Sequence, residues 1–250
     1  MTKAEQVEII NDNSGFFDPL HRLGGYYICP KDADGRRLGP LVGYAGKDEQ
    51  GRQKVGDIYA NFAKMEEYPR ILSFYGSLLL VRCDHLFLRA VDVFCGMPMG
   101  GVALSGLLAL ERWKKSIYLE KKVLVPETPT TREASELVLG RHEIQKGAHV
   151  VLVEDVVNNY STTAAAIELL NSAGAEVIGI SCLLNRSETE VYEKANLPVI
   201  SGIWKPMPQY TQDDPAVADD IARGNLVAKP KRKDDWARLQ AIMREYNVQP

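Results

Sequence analysis

Residues 150–170 read VVLVEDVVNNYSTTAAAIELL, and this stretch decides the fold. Val150 to Val153 make an aliphatic, mostly β-branched run suited to a strand covered on both faces, and Ala164 to Leu170 carry a helical pattern. Between them, two adjacent acids, Glu154 and Asp155, lead into the polar run Asn158, Asn159, Tyr160, Ser161, Thr162, Thr163 on a strand-to-helix loop. The first turn of a helix presents unpaired amides at the positive end of its dipole, and the three hydroxyls add donors. The loop is therefore an anion site, for phosphate above all. Carboxylates at the strand end repel a bare phosphate, but they accept hydrogen bonds from sugar hydroxyls or help to hold a metal. The stretch suits a ligand with both a phosphate and a ribose. A plainer reading of the same residues is a helix cap, worth about 1 kcal/mol, beside two solvated acids.

Working outward, strands and helices alternate, which implies a mostly parallel central sheet flanked by helices and joined by right-handed crossovers. Val91 to Cys95 is an expected strand, Val102 to Trp113 a helix, Ile117 to Val125 a strand, and Val177 to Leu184 and Val199 to Ile203 two more. Pro69 opens a predicted helix from Arg70 to about Arg89. Residues 126–146 show no periodicity and read as a long loop of the kind that serves as a lid. Upstream, aromatic pairs and Gly-rich turns predict short antiparallel strands with hairpins at Asp34-Gly35 and Gln50-Gly51. The expected organisation is an N-terminal hood of short strands over 1–65, an α/β core over 66–203, and a C-terminal extension over 204–250 that ends in a helix, Asp235 to Tyr246.

A second loop lies on the same edge of the sheet. The strand that ends at Cys95 runs into Gly-Met-Pro-Met-Gly-Gly, residues 96–101, just before a helix. Its glycines permit positive φ and close backbone approach, which makes it a second candidate anion loop. Two such loops at the carboxyl ends of parallel strands, one preceded by paired acids, are a much stronger signal than either alone. Arg186 follows another strand end and could receive a carboxylate or carbonyl; a surface ion pair is the plain alternative. Lys121 and Lys122 are adjacent on a strand, so one should face the crevice and the other solvent.

Composition narrows the partners. The chain has 250 residues, 45% of them hydrophobic, enough for one large α/β domain or a domain with an appendage. Thirty basic against 33 acidic residues give a formal charge of −3, so no general attraction to nucleic acid or a membrane surface is implied, and a small molecule is the expected partner. The apolar runs are too short and too interrupted to cross a bilayer, and the charged stretch MTKAEQVEIINDN lacks a signal core. Cys29, Cys83, Cys95 and Cys182 show no metal-ligand spacing and read as buried thiols of a cytoplasmic protein. The two Asn-x-Ser triplets, at Asn159 and Asn185, read as coincidence.

The order GMPMGG, a Lys-bearing strand with a long loop, VVLVEDVVNNYSTT, and then AGAEVIGISCLLNRS resembles the type I phosphoribosyltransferases, the orotate enzymes in particular, over about residues 20–200. The resemblance implies catalysis of phosphoribosyl transfer from phosphoribosyl pyrophosphate (PRPP) to a nucleobase. Glu154 and Asp155 would bind the ribose hydroxyls. Asn158, Asn159, Tyr160, Ser161, Thr162 and Thr163 would hold the 5′-phosphate, and the loop through Pro98, Met99, Gly100 and Gly101 the pyrophosphate. Arg186 would face a carboxylate of the base, with Tyr26 and Tyr27 over the base. Lys121 and Arg132 are the expected stabilisers of the leaving group. Mg²⁺ would be held mainly through the donor's pyrophosphate with no dedicated protein cage, and a homodimer is implied.

The chain departs from the family pattern twice. The family's phosphate loop usually reads Thr-Thr-Gly-Gly-Thr or similar, and here Tyr160 stands at a glycine position. This suggests either a donor extended beyond its 5′-phosphate and stacked on the ring, or a tyrosine turned to solvent or core. The family's Lys-x-His-Gly is also missing from residues 120–143, where Arg132, Arg141 and His142 are the nearest substitutes, so an acceptor other than simple orotate is expected. A PRPP- or nucleotide-binding regulator without catalysis is the competing function, though the basic run Lys229 to Lys233 reads as a solvated linker rather than a nucleic-acid surface.

Overall fold

The computed structural model describes residues 14–83, 85–125, 134–246 and 248. The chain divides into a core unit, Tyr68–Pro206, and a terminal unit built from both ends, Met1–Glu67 and Met207–Pro250.

The terminal unit contains α1 (Ser14–Arg22), β1 (Tyr26–Ile28), β2 (Leu41–Lys47), β3 (Gln53–Gly56), β4 (Ile58–Ala60) and α2 (Ala63–Glu66) from the N-terminal side. Both expected turns form around glycines in the left-handed region, Gly35 at φ 80° and Gly51 at φ 76°. β1 pairs with β4 and β2 with β3, both antiparallel, as the hood reading expects.

Residues 207–250 belong to this same unit, which the division into hood and separate extension did not anticipate. Tyr210 bridges Val55, and a short strand, Leu226–Val227, runs parallel to β2. The final helix, Lys233–Glu245, sets Trp236, Leu239 and Met243 against Tyr27, Val42 and Tyr44. Trp236 donates to the Gly24 carbonyl at 2.8 Å. Short strands alone bury too little apolar surface to stand, and the C-terminal helix supplies the missing side of their core.

An ion cluster ties the two ends of the chain together. Arg37 binds Asp57 through Nε and Nη2 and Asp220 through Nη1, while Lys31 meets Asp57 at 2.9 Å. Burial alone would raise the Asp57 carboxyl, but hydrogen bonds from Arg37 and Lys31 outweigh it and hold it below the usual range. Asp220 is lowered in the same way, by Asn225, Arg223 and Arg37 against burial.

In the core unit, α3 (Pro69–Arg82) buries Leu72, Tyr75, Gly76 and Leu79, the apolar stripe of the sequence pattern. The expected single helix to Arg89 is broken: Cys83 is extended at ψ 138°, and a short α4 (His85–Ala90) follows. Then come β5 (Val93–Gly96), α5 (Gly100–Arg112), β6 (Lys115–Tyr118), β7 (Glu120–Val125), β8 (Ala134–Val138), β9 (His149–Val157), α6 (Ser161–Ser172), β10 (Glu176–Asn185), β11 (Val191–Tyr192) and β12 (Leu197–Trp204).

The central sheet runs β11-β12-β10-β9-β5-β6, parallel throughout except for β11 at the edge. This is the expected α/β fold. Cys95, Leu152, Ile180 and Cys182 share one buried cluster with Ala166, Ile167 and Leu170 of α6. Burial pushes the Cys95 thiol up to about 12 and Cys83 to about 11, so both remain protonated at neutral pH.

The expected strand from Ile117 to Val125 is two strands. β6 ends in the sheet at Tyr118, while β7 pairs antiparallel with β8 in a separate ribbon. Part of the expected loop over 126–146 is thus strand. Residues 121–124 of β7 are all exposed, as are Ser135 and Glu136 of β8, so the ribbon lacks the alternation of a half-buried strand.

Two tests follow from these contacts. A Cβ at Gly101 would overlap the Val153 carbonyl, whereas one at Gly106 in the same helix meets open space. Gly101→Ala should therefore cost about 2 kcal/mol or more in urea denaturation, and Gly106→Ala should add about 0.5–1 kcal/mol. For the ion cluster, a carboxyl with a lowered folded pKa stabilises above its unfolded value, and that stability is lost as pH falls through the folded one. Acid titration of the tryptophan fluorescence, with Trp236 as the buried reporter, should show the terminal unit loosening below about pH 4. Asp57→Asn, which takes the carboxylate from Arg37 Nε and Nη2 and leaves it Asp220, should cost on the order of 2 kcal/mol at neutral pH.

Candidate active site at the carboxyl edge of the sheet

The strand order creates a point of divergence. From β5 the chain crosses through α5 to β6 on one side, and from β9 it crosses through α6 to β10 on the other. Between β5 and β9 the carboxyl ends of the strands open into a crevice, the usual place for a ligand in such sheets.

The paired acids stand at this opening. β5 ends with Gly96 opposite Val153, so Glu154 and Asp155 are the first residues of β9 beyond it. Adjacent strand residues point to opposite faces. Glu154 pairs in register with Cys182 of β10, whose thiol is pushed up by burial and then by the Glu154 charge. Asp155 turns the other way, toward the start of α5, and its Oδ1 accepts the Val156 amide at 2.9 Å. A Cβ on Gly100 would strike the Asp155 carboxyl group.

Loop 97–101 is locked to the same strand. Met97 donates its amide to the Val153 carbonyl at 2.8 Å and accepts from Gly101 at 3.0 Å. The peptide bond between Pro98 and Met99 is cis. Gly96, Gly100 and Gly101 are absent from the positive-φ residues, so they are needed for close approach rather than for unusual torsions: added Cβ atoms would meet Ser105, Asp155 and Val153. Met97 is buried, while Met99 is 79% exposed.

Loop 158–163 flanks the acids on the other side. Asn159 Oδ1 accepts the Ser161 amide at 3.3 Å and its hydroxyl at 3.0 Å. Ser161 and Thr162 are exposed in the first turn of α6, and Thr163 is buried. Tyr160 adopts the left-handed conformation, φ 56° and ψ 11°, that suits a glycine. Its ring is turned inward, 4.9 Å from the Tyr192 ring, with its hydroxyl 2.9 Å from Ser187 Oγ. Of the two readings of Tyr160, a stacking face for an extended donor or a ring turned to solvent or core, the half-buried ring against Tyr192 fits the second.

Arg186 is buried, immediately after β10, with its amide on the Val157 carbonyl at 2.9 Å. Its backbone lies beside the acids' strand, and its side chain is not at the surface. Lys121 and Lys122 both lie exposed on the ribbon, and Lys122 meets Glu136 at 3.3 Å. Arg141 is engaged by Glu120 at 2.7 Å, and His142 stands edge-on to Tyr118. Arg132 lies outside the described residues.

Tyr26 and Tyr27 are core residues of the terminal unit. Tyr26 packs on Phe17 at 4.7 Å, and Tyr27 donates to the Pro40 carbonyl at 2.7 Å from inside an apolar cluster. Neither ring face is offered to solvent, so packing accounts for this aromatic pair in place of the expected base contact. The terminal unit holds a cavity of about 550 Å³ of its own, lined in part by Cys29, Lys31, Tyr44 and Asp57. Of these, Tyr44 donates to the Ile58 carbonyl, Cys29 to the Gly39 carbonyl, and Lys31 to Asp57.

Reasoning from sequence missed Asn185, Ser187 and Tyr192, which brace the two loops. The signal was present in the Asn-x-Ser triplets, since Asn and Ser side chains in that spacing commonly close on the backbone two residues on.

The phosphoribosyl transferase domain model matches residues 84–207. Orotate phosphoribosyltransferase of Rhodopseudomonas palustris (strain BisB5) is 31% identical over 154 residues, 58% of this chain and 78% of that protein. The orotate phosphoribosyltransferase of Caldanaerobacter subterraneus subsp. tengcongensis is 30% identical over 139 residues, 55% of this chain, and the match spans 66% of its length. Among solved structures, orotate phosphoribosyltransferase from Aeropyrum pernix superposes with a TM-score of 0.52 at 20% identity, covering 83% of this chain and 98% of that one, a likeness of fold. By domain, relatives and fold, this chain belongs to the phosphoribosyltransferase family.

Proposed function

We propose that the protein transfers a 5-phosphoribosyl group from PRPP to a nucleobase and releases pyrophosphate. The observation that carries this reading is the order of groups along one sheet edge: the loop before α5, two carboxylates on β9, and the loop before α6. PRPP has the matching order of phosphate, ribose and pyrophosphate. Loop 158–163 takes the 5′-phosphate on the first-turn amides and hydroxyls of α6. Glu154 and Asp155 accept hydrogen bonds from the ribose hydroxyls, and Pro98 to Gly101 face the pyrophosphate.

Little covalent help from the protein is needed. The bond from ribose C1 to the pyrophosphate oxygen breaks while a base nitrogen closes on C1, so positive charge develops on the sugar and negative charge on the leaving group. The acids fix the sugar and stabilise its charge. Amides at the start of α5, with Lys121 and Arg132, stabilise the departing oxygens. Arg186 favours a base with a carboxylate or carbonyl beside the reacting ring, and orotate is the first such base to try.

Among the described residues no group of three or more His, Cys, Asp or Glu could hold a metal ion. The two site carboxylates suit Mg²⁺ that arrives on the donor's oxygens, where it would neutralise charge on the pyrophosphate.

A second reading, donor binding without transfer, draws on one observation: Arg141, a nearby cation of the ribbon region, is already held by Glu120. Pyrophosphate release from PRPP and Mg²⁺ across orotate, uracil, adenine, hypoxanthine, xanthine and nicotinamide separates the two. Transfer requires release with at least one base; silence across the panel alongside measurable PRPP binding supports the regulator. In the transferase, Glu154→Gln with Asp155→Asn should lower kcat about 100-fold or more with an unchanged circular dichroism spectrum. Near-normal turnover would remove the acids from the mechanism.

A further inference from the structure

The two Asn-x-Ser triplets fold into the same turn. Asn159 Oδ1 accepts the amide and hydroxyl of Ser161, and Asn185 Oδ1 accepts the amide and hydroxyl of Ser187 at 3.0 and 2.7 Å. The middle residue of the first is Tyr160, on the phosphate loop. The middle residue of the second is Arg186, on the base side. The Tyr160 hydroxyl joins the turns by reaching Ser187 Oγ at 2.9 Å.

The direction of that hydrogen bond can be deduced. Ser187 has one hydroxyl proton, and its two acceptors are Asn185 Oδ1 and the Thr189 carbonyl at 2.9 Å. Tyr160 must then donate to Ser187. Burial, opposed by the hydrogen bond to Ser187, holds the phenol above its ordinary value, so it keeps this proton through neutral pH. The Arg186 turn is further fixed by Trp204 Nε1 on the Ser187 carbonyl at 3.0 Å and by Asn185 Nδ2 on the Thr189 carbonyl at 2.8 Å. Asn185 itself is fully buried.

A non-glycine residue in the left-handed region carries a steric cost, and it persists where surrounding contacts hold it there. At Tyr160 those contacts are Tyr192 and Ser187. The backbone shape that a glycine would adopt freely is here set by a side chain anchored to the turn that aims Arg186.

We propose that Tyr160 is a positioning residue that fixes the phosphate loop and the Arg186 turn as one body, and that its hydroxyl acts on acceptor recognition through that turn. The inference rests on the phosphoribosyltransferase reading above. Tyr160→Phe keeps the ring and removes only the donated hydrogen bond. Tyr160→Gly restores a residue at ease in the left-handed region and removes the anchor.

KM for PRPP and for the accepted base should be measured separately in both variants, starting with orotate. Tyr160→Phe should raise the base KM about fivefold, the size of one lost hydrogen bond, with a smaller rise in the PRPP KM, whereas Tyr160→Gly, which also frees the phosphate loop, should raise both. Ser187→Ala should reproduce the Phe variant and add nothing when combined with it. In an Arg186→Lys background the Phe substitution should have no further effect on base KM, because the residue it works through is gone. In Tyr160→Phe, an unchanged base KM, or equal rises in both KM values together with lower thermal stability, would reduce Tyr160 to a packing residue and overturn the proposal while transferase activity stands. Absence of turnover with every base in the parent protein overturns the functional reading and this inference with it.

Discussion

At Gly101 the backbone of α5 lies on the carbonyl of Val153, with no room for a side chain between helix and strand. That contact sets the depth at which loop 97–101 sits, and Gly100 brings the same backbone against Asp155 one step further along β9. Because β5 stops at Gly96 opposite Val153, the acids begin where the neighbouring strand gives way to the loop. A carboxylate pair, one loop of amides and a helix start are thereby brought to one edge by a single close packing of backbone on backbone. Parallel topology supplies the rest, since diverging crossovers leave this crevice open.

Loop 158–163 reaches its shape by a different route. Where close approach demands glycine at residues 96, 100 and 101, the left-handed position at the start of α6 is filled by Tyr160, and its ring and hydroxyl are used. Small residues free a backbone to move close to a ligand, whereas a packed aromatic fixes it in place. The chain uses the first device where backbones touch and the second where two loops have to be held together.

Much of this was legible in the sequence. Val150 to Leu170 marked the strand, the acids and the helix, because β-branched runs and hydroxyl-rich helix starts are local signals. GMPMGG marked the second loop, although close approach and not torsional freedom proved to be the reason for its glycines. The break at Cys83 was hidden because Ile71 to Arg82 and His85 to Ala90 share helical spacing. The β7–β8 ribbon was hidden because exposed strands lack alternation. Tyr26 and Tyr27 look the same whether an aromatic pair covers a ligand or a core, and only the Trp236 helix, more than 200 residues away in sequence, decides between them. The partnership of Tyr160 with Ser187 is likewise a tertiary contact that no local pattern announces.

The most direct test of the site is amide hydrogen exchange with and without PRPP and Mg²⁺. Slowed exchange in peptides covering both 97–101 and 157–163, with the turn at 32–37 unchanged, is the expected result, since one donor spans both loops and leaves that turn alone. Protection of one loop alone, or of neither, would contradict a donor held across the acids between them.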